Sequence, residues 1–389
     1  MARRSARMIG IVVAVVAVVA ASTSCGKSKN SGGGGTPTLA FMGALTGSNA
    51  QLGINIYNGA KLAIDQHNAK SGVTKVTLKK YDTQGDATQA SSQAKKVVQD
   101  KDVAVIGPAF SGESKTADPI LNAAKIPFVS ASATAVALAQ SGWKYFHRVL
   151  ANDDVQGPGD ADFIAKTLGA KSVYVIDDQS EYGLGLADAV RKQLKTDGAT
   201  VKNGSIDPKG SDYSTTVNAI KAANPDVVFL GGYYDAAARL VKQMRAATVK
   251  ATFVSGDGSL DQKIADQGGA SANGALLSCT CSSAVGSTNP KVQAFEKAYV
   301  AKWGSEPATY SAEGYDVGNI LLQAIDNGKK SAQDINTYVA SIDYQGVSKP
   351  IKFNSTGELS QSLLFMSEVV NDKIKFLGPT STAKPVPAG

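Results

Sequence analysis

Two short loops of hydroxyl residues and one solitary carboxylate carry the chemistry open to this chain. The first loop, Pro108-Ala109-Phe110-Ser111-Gly112, follows an apolar run that ends at Gly107; the second, Ser130-Ala131-Ser132-Ala133-Thr134, follows Phe128-Val129. Hydroxyls beside small residues at helix starts can donate to an anion together with free backbone N–H groups, without a buried cation. Either loop alone reads equally as a helix cap. Two of them on successive strands point to a shared carboxylate site at Ser111 and Thr134. Asp257 stands between Gly256 and Gly258 after a further apolar run. In a plain turn it would be an ordinary aspartate, but in a cleft it would pair with an ammonium. A carboxylate site and an ammonium site together grip an α-amino acid.

Such loops need a scaffold whose strands end on one side. Short β-branched runs alternate with amphipathic stretches along the chain: strands are expected at 38–41, 76–80, 103–106 and 128–130, with helices at 52–68, 88–99 and 116–124. A second series follows Gln156-Gly157-Pro158, with strands at 172–176, 200–206, 227–230 and 252–254 and helices at 161–168, 185–196, 213–223 and 236–247. Helical patterns at 289–303 and 315–326 come next, then β-hairpin material at 349–354 and 363–375. Repeated βαβ units imply an α/β fold with two doubly wound, largely parallel sheets. Ligands of open α/β sheets bind beyond the carboxyl ends of the strands, where the hydroxyl loops, Tyr233 and Asp257 all fall.

Composition removes several alternatives. The net charge is +7, and loss of Arg3, Arg4 and Arg7 with a leader would leave +4 (7 − 3), with no basic run interleaved with aromatics. A nucleic-acid partner is not expected. The two histidines, His67 and His147, lack metal-ligand spacing, and Cys279-Thr280-Cys281 offers two thiols with no third ligand nearby, so no metal or cofactor is expected. Cys279 and Cys281 leave a disulfide and two free thiols both open. There is no G-x-S-x-G elbow and no P-loop, and Gly183-Leu184-Gly185 lacks the third glycine of a dinucleotide fingerprint, which is Asp188 here. Catalysis is not expected.

The first residues have the form of an export signal. Three arginines precede a 14-residue uncharged run from Met8 to Ala21, shorter than the ~18 to 20 residues that span a bilayer. Cys25 and a Gly/Ser/Lys tether to Gly35 follow. Cys25 resembles the lipidated cysteine of bacterial lipoproteins, although Ser22 stands where such sites usually carry Leu. Cleavage near Ser22 with free secretion is the alternative. The expected organisation is therefore a signal over 1–24, a tether over 25–35 and a folded body from residue 36.

The chain resembles the substrate-binding proteins of branched-chain amino-acid ABC transporters, the Leu/Ile/Val-binding type of type I periplasmic binding protein. The resemblance runs from Thr38 to about Gly378. Its matching stretches include 41–47 with Leu52-Gly53, Tyr81-Asp82, Ser132-Ala133-Thr134, 154–158, 182–186, Gly231-Gly232-Tyr233 and Gly256-Asp257-Gly258, in order and spacing. The resemblance implies two lobes joined by a three-crossing hinge: 36–150 with 278–349, and 151–277 with 350–379, followed by a tail over 380–389. It implies that Ser111 and Thr134 bind a ligand carboxylate, that the backbone at Ser132 and the carboxylate of Asp257 face its ammonium, that Tyr182 and Tyr233 close over the ligand from the second lobe, and that Tyr310 borders its side chain. Leu52 and the short Asp257 depart from positions often aromatic and often Glu, so the side-chain preference does not carry over. The implied partners are an amino acid, a permease and an ATPase, with a lipid anchor on the outer face of the cytoplasmic membrane. A ligand-sensing receptor that signals through a separate protein is the alternative.

Overall fold

A computed structural model describes residues 35–361 and 363–387; the signal run, Cys25 and most of the tether lie outside these residues. Strands β1 (Thr38–Gly43), β2 (Thr77–Asp82), β3 (Ala104–Ile106), β4 (Phe128–Ser130) and β5 (Phe146–Arg148) form a wholly parallel sheet in the order β2-β1-β3-β4-β5. Strands β6 (Ser172–Asp177), β7 (Thr200–Ser205), β8 (Val227–Gly231), β9 (Thr252–Ser255) and β10 (Leu276–Cys279) are the parallel part of a second sheet. A small pair, β11 (Asp343–Gln345) and β12 (Pro350–Lys352), stands apart, and β13 (Phe365–Val370) with β14 (Lys373–Pro379) extends the second sheet antiparallel, in the order β14-β13-β10-β9-β8-β6-β7. The central strands β3, β4 and β8 are buried at every residue, as the continuous apolar runs of helix-covered parallel strands require.

The crossover helices are α1 (Ala50–Ala69), α2 (Ala87–Asp100), α3 (Ser111–Ala123) and α4 (Ala137–Gln140) on the first sheet, then α5 (Asp153–Asp162), α6 (Glu181–Thr196), α7 (Ser214–Ala223), α8 (Tyr234–Ala246) and α9 (Gln262–Gly268). Helices α10 (Pro290–Trp303), α11 (Ser311–Asp326) and α12 (Ala332–Ala340) return to the first half, where α11 packs along α1. The chain therefore passes between the sheets after β5, after β10 and before β13. Residues 350–360, assigned from the sequence to the second lobe, run along the first instead: the Arg148 N–H donates to the Gly357 carbonyl at 2.9 Å, and the Phe353 ring lies 4.9 Å from that of His147. No helix among the described residues is long and apolar enough to cross a membrane.

Two helices begin five or more residues earlier than their patterns predict. Helix α3 starts at Ser111 rather than 116, because Glu113 in its first turn accepts from the free N–H groups of Ala109 and Phe110 at 3.1 and 3.0 Å. Helix α5 starts at Asp153 rather than 161 and runs through Gly157-Pro158-Gly159. That triplet has the composition of a turn, yet a β-carbon on Gly157 would lie 2.4 Å from the Ala189 β-carbon, so glycine is there to let α5 lie close on α6.

Candidate functional site

The hydroxyl loops meet at the carboxyl ends of the adjacent strands β3 and β4. Ser111 is the first residue of α3, and its hydroxyl accepts from the Ala135 N–H at 3.2 Å, which leaves its own proton free to donate. The Ser132 hydroxyl turns back onto the Ala109 carbonyl and ties the two loops together. Thr134 is fully buried, and its hydroxyl has no hydrogen-bond partner among the described residues. A buried hydroxyl without a partner is costly unless something else fills the role. Beneath this loop the fully buried Arg148 donates to the carbonyls of Ala133 and Ala135, at 3.2 and 2.9 Å, and pairs with Glu358. It fixes the backbone that carries Thr134.

The opposite wall comes from the second sheet. Asp257 opens a short 3-10 turn after β9 and is 1 % exposed. The Tyr182 hydroxyl donates to one of its oxygens at 2.6 Å, and the Tyr310 hydroxyl to the other at 2.5 Å. The Tyr182 oxygen also accepts from the Gly258 N–H at 3.0 Å, and a β-carbon on Gly258 would lie 2.6 Å from the Tyr182 ring, so the glycine after Asp257 lets the ring close. Tyr310 reaches across from the amino end of α11, at a left-handed φ of +69° that a tyrosine rarely adopts. Tyr233 packs against Tyr182 with ring centres 5.1 Å apart and planes tilted by 45°. The structure thus brings together the tyrosines and the acid singled out from the sequence.

Three acids and a glutamine escaped the sequence reading. Asp153, Gln156 and Asp160 fall on one face of α5, and all are buried. The Gln156 amide donates to the Ser278 hydroxyl at 3.0 Å, and the Asp153 N–H donates to the Thr134 carbonyl at 3.0 Å. The carboxylates of Asp153 and Asp160 make no close hydrogen bond, though the Thr134 and Ser278 hydroxyls stand near enough to favour their ionised forms, and neither they nor Asp257 pairs with Lys, Arg or His among the described residues. Burial, then the negative charge of Asp257, pushes Asp153 up to about 7. Burial raises Asp160 and Asp257 as well, the latter against the hydrogen bonds of Tyr182 and Tyr310. The third acid is Glu113, which burial lifts to about 7 while it braces the first loop. The i, i+3, i+7 spacing on α5 was the available signal, hidden by the Gly-Pro-Gly triplet.

The halves touch across this site. Lys115 on α3 pairs with Glu181 on α6 at 2.7 Å, and Asn55 on α1 donates to Asp261 at 3.2 Å. An open cavity of about 930 Å³ beside Arg191 at the β6–β7 edge is lined by none of these groups. Cys279 and Cys281 form a disulfide where the chain leaves β10 for the first half. No cluster of metal-binding side chains occurs among the described residues. The arrangement brings neutral hydroxyls on one side and buried carboxylates on the other to the seam between the halves, a pairing of groups that could hold a small zwitterion.

Residues 36–373 match the family model of the periplasmic binding proteins. A Leu/Ile/Val-binding protein of Rhizobium johnstonii is 30% identical over 332 residues, 83% of this chain and 89% of its own. The Leu/Ile/Val-binding protein of Escherichia coli K12 is 34% identical over 61% of this chain and 66% of its own. Among solved structures, the branched-chain amino-acid transporter substrate-binding protein of Streptococcus pneumoniae, in complex with isoleucine, superposes with a TM-score of 0.81 at 26% identity and covers 89% of this chain and all (100%) of that one. A leucine-binding protein of Thermotoga maritima gives 0.83 at 27% identity, covering 90% and 99%.

Proposed function

Since the chain belongs to the periplasmic binding protein family, we propose that it captures a small aliphatic α-amino acid outside the cytoplasm and delivers it, chemically unchanged, to the permease and ATPase of an ABC importer. The observation that carries this reading is Asp257: a buried carboxylate with no protein cation, held by a tyrosine from each half. A buried charge is expensive unless paired, and a ligand ammonium is the missing partner. Asp153 lies near enough to feel the charge of Asp257 and would share the same cation. Ser111 and Thr134 would donate to the ligand carboxylate with the N–H groups around them, and Tyr182, Tyr233 and Tyr310 would cover its side chain.

Because the ligand would touch both halves, it favours the state in which they meet, and release requires them to part. The three crossings between the sheets are the natural hinge. The proposed boundaries are 36–150 with 280–360 for one lobe and 151–279 for the other, which also takes the β13–β14 hairpin. Cys25 would carry the lipid that tethers the protein at the membrane, and an intact N-terminal mass without lipid would rule this out. Calorimetry of ligand-stripped protein against the common amino acids tests the function. At least one aliphatic amino acid should bind at micromolar Kd or tighter, about −8 kcal/mol. A complete screen with neither heat nor thermal shift would exclude the reading.

A further inference from the structure

Phe110 bears no charge and no hydroxyl, yet it stands in the β3 loop between Ala109 and Ser111, on the neutral wall of the site. It is 6 % exposed, and its ring lies 4.8 Å from that of Tyr233, at 44°, although the two residues come from different sheets. Tyr233 in turn packs against Tyr182, whose hydroxyl holds Asp257. A file of three rings therefore runs from the β3 loop to the buried acid.

The ring is also held in place. The Phe110 N–H donates to Glu113, whose other oxygen accepts from the Thr83 hydroxyl at 2.5 Å. On the outer side a β-carbon on Gly85 would stand 3.4 Å from the ring and 4.0 Å from Ala44. The main chain of Phe110 is thus anchored, and the close approach of Gly85 leaves its ring little room on that side.

We propose that Phe110 is a specificity-determining residue: its ring, closing on Tyr233, sets the length of ligand side chain admitted between Ser111 and Asp257. The inference rests on the amino-acid reading above and deepens it, because that grip fixes the ligand's Cα and leaves the side chain to meet the rings. An uncharged aromatic wall admits apolar side chains and excludes charged ones. In such a site one methylene too many or too few changes affinity by about tenfold or more.

The test is calorimetric titration of the wild type, Phe110→Ala and Phe110→Leu with L-valine, L-leucine and L-phenylalanine. Phe110→Ala should weaken valine and raise the phenylalanine-to-valine affinity ratio by about tenfold or more. Phe110→Leu should give an intermediate ratio, and it keeps the experiment decisive if the alanine variant does not fold. A residue that only helps the halves to close would weaken all three ligands by one factor, so an unchanged ratio overturns the inference. A wild type that binds no α-amino acid in the wider screen overturns the amino-acid reading and this inference with it.

Discussion

The two walls of the site are built on opposite principles. The wall from the first sheet is neutral: Ser111, Ser132 and Thr134 sit on loops whose backbone is fixed by Glu113 on one side and Arg148 on the other. The opposite wall, built mainly by the second half, is charged and made of long side chains, with Asp257 between Tyr182 and Tyr310, the latter reaching over from the first half, and Asp153 close by. A neutral wall held by main chain needs no ligand to be stable. A wall of buried, unpaired carboxylates does, because each carries a desolvation cost that only a cation relieves. The first wall would therefore position the ligand, and the second would supply most of the difference between empty and filled states.

The largest effect should come from breaking the charged wall. Asp257→Ala would leave a ligand ammonium without its counter-charge and cost roughly 2 to 5 kcal/mol, about thirty-fold to several thousand-fold in affinity. Its melting temperature without ligand should change little, since relief of a buried carboxylate is offset by the loss of the Tyr182 and Tyr310 hydrogen bonds. Thr134→Val removes a neutral hydroxyl that has no protein partner and should cost about 1 kcal/mol, near fivefold, with no loss of stability. Paired calorimetry and thermal melts read both. A larger loss from Thr134→Val than from Asp257→Ala would mean that the ligand is an anion without an ammonium.

Acidity should act on the two walls together and in opposite senses for stability and binding. Glu113 and Asp153 lie near 7 in the folded protein against 4.5 and 3.8 when unperturbed, so the folded chain keeps protons that the unfolded chain has shed. Their contribution to stability is complete at pH values below about 4 and is lost as pH rises through about 7. The ligand-free melting temperature should accordingly fall between pH 5 and 8. Affinity should move the other way, because an ammonium binds the ionised forms of Asp153 and Asp257 and expels their protons. Kd should rise as pH falls below 7, by up to about tenfold per unit for one proton. Titrations at pH 8, 7 and 6 measure this, and a flat profile would remove Asp153 from the ammonium site.

Which parts of this were legible in the chain follows from the same contrast. The β3 and β4 loops announce themselves through local signals, hydroxyls after apolar runs, and the order of helices and strands through periodicity. Asp257 was visible because two glycines isolate it. Asp153, Gln156 and Asp160 were not, because Gly157-Pro158-Gly159 has turn chemistry and only packing against Ala189 makes it helical. Strands β5 and β10 were also unread. Phe146-His147-Arg148 and Leu276-Leu277-Ser278-Cys279 are not β-branched apolar runs like those of β3 and β4, and only pairing with neighbouring strands makes them strands. Nor could the position of Arg148 beneath Thr134 be foreseen, since Glu358, its partner, lies 210 residues away.

The smallest effect should be the one that joins the walls at their rim. Lys115 and Glu181 pair at 2.7 Å from helices of different halves, but the lysine side chain is 63% exposed and the glutamate 29%. Water and salt screen such a pair, so it adds only about 0.5 kcal/mol, roughly twofold in affinity, and only to the state in which the halves meet. Lys115→Ala should thus weaken amino-acid binding about twofold at low ionic strength, chiefly through faster dissociation. At about 0.5 M salt the variant and the wild type should converge, since the Debye length there is about 4 Å. Glu181→Gln added to Lys115→Ala should cost nothing further, because the pair is already broken. A tenfold loss that survives high salt would assign Lys115 a role in the site itself. No loss at low salt would mean that closure depends on the ligand and the rings alone.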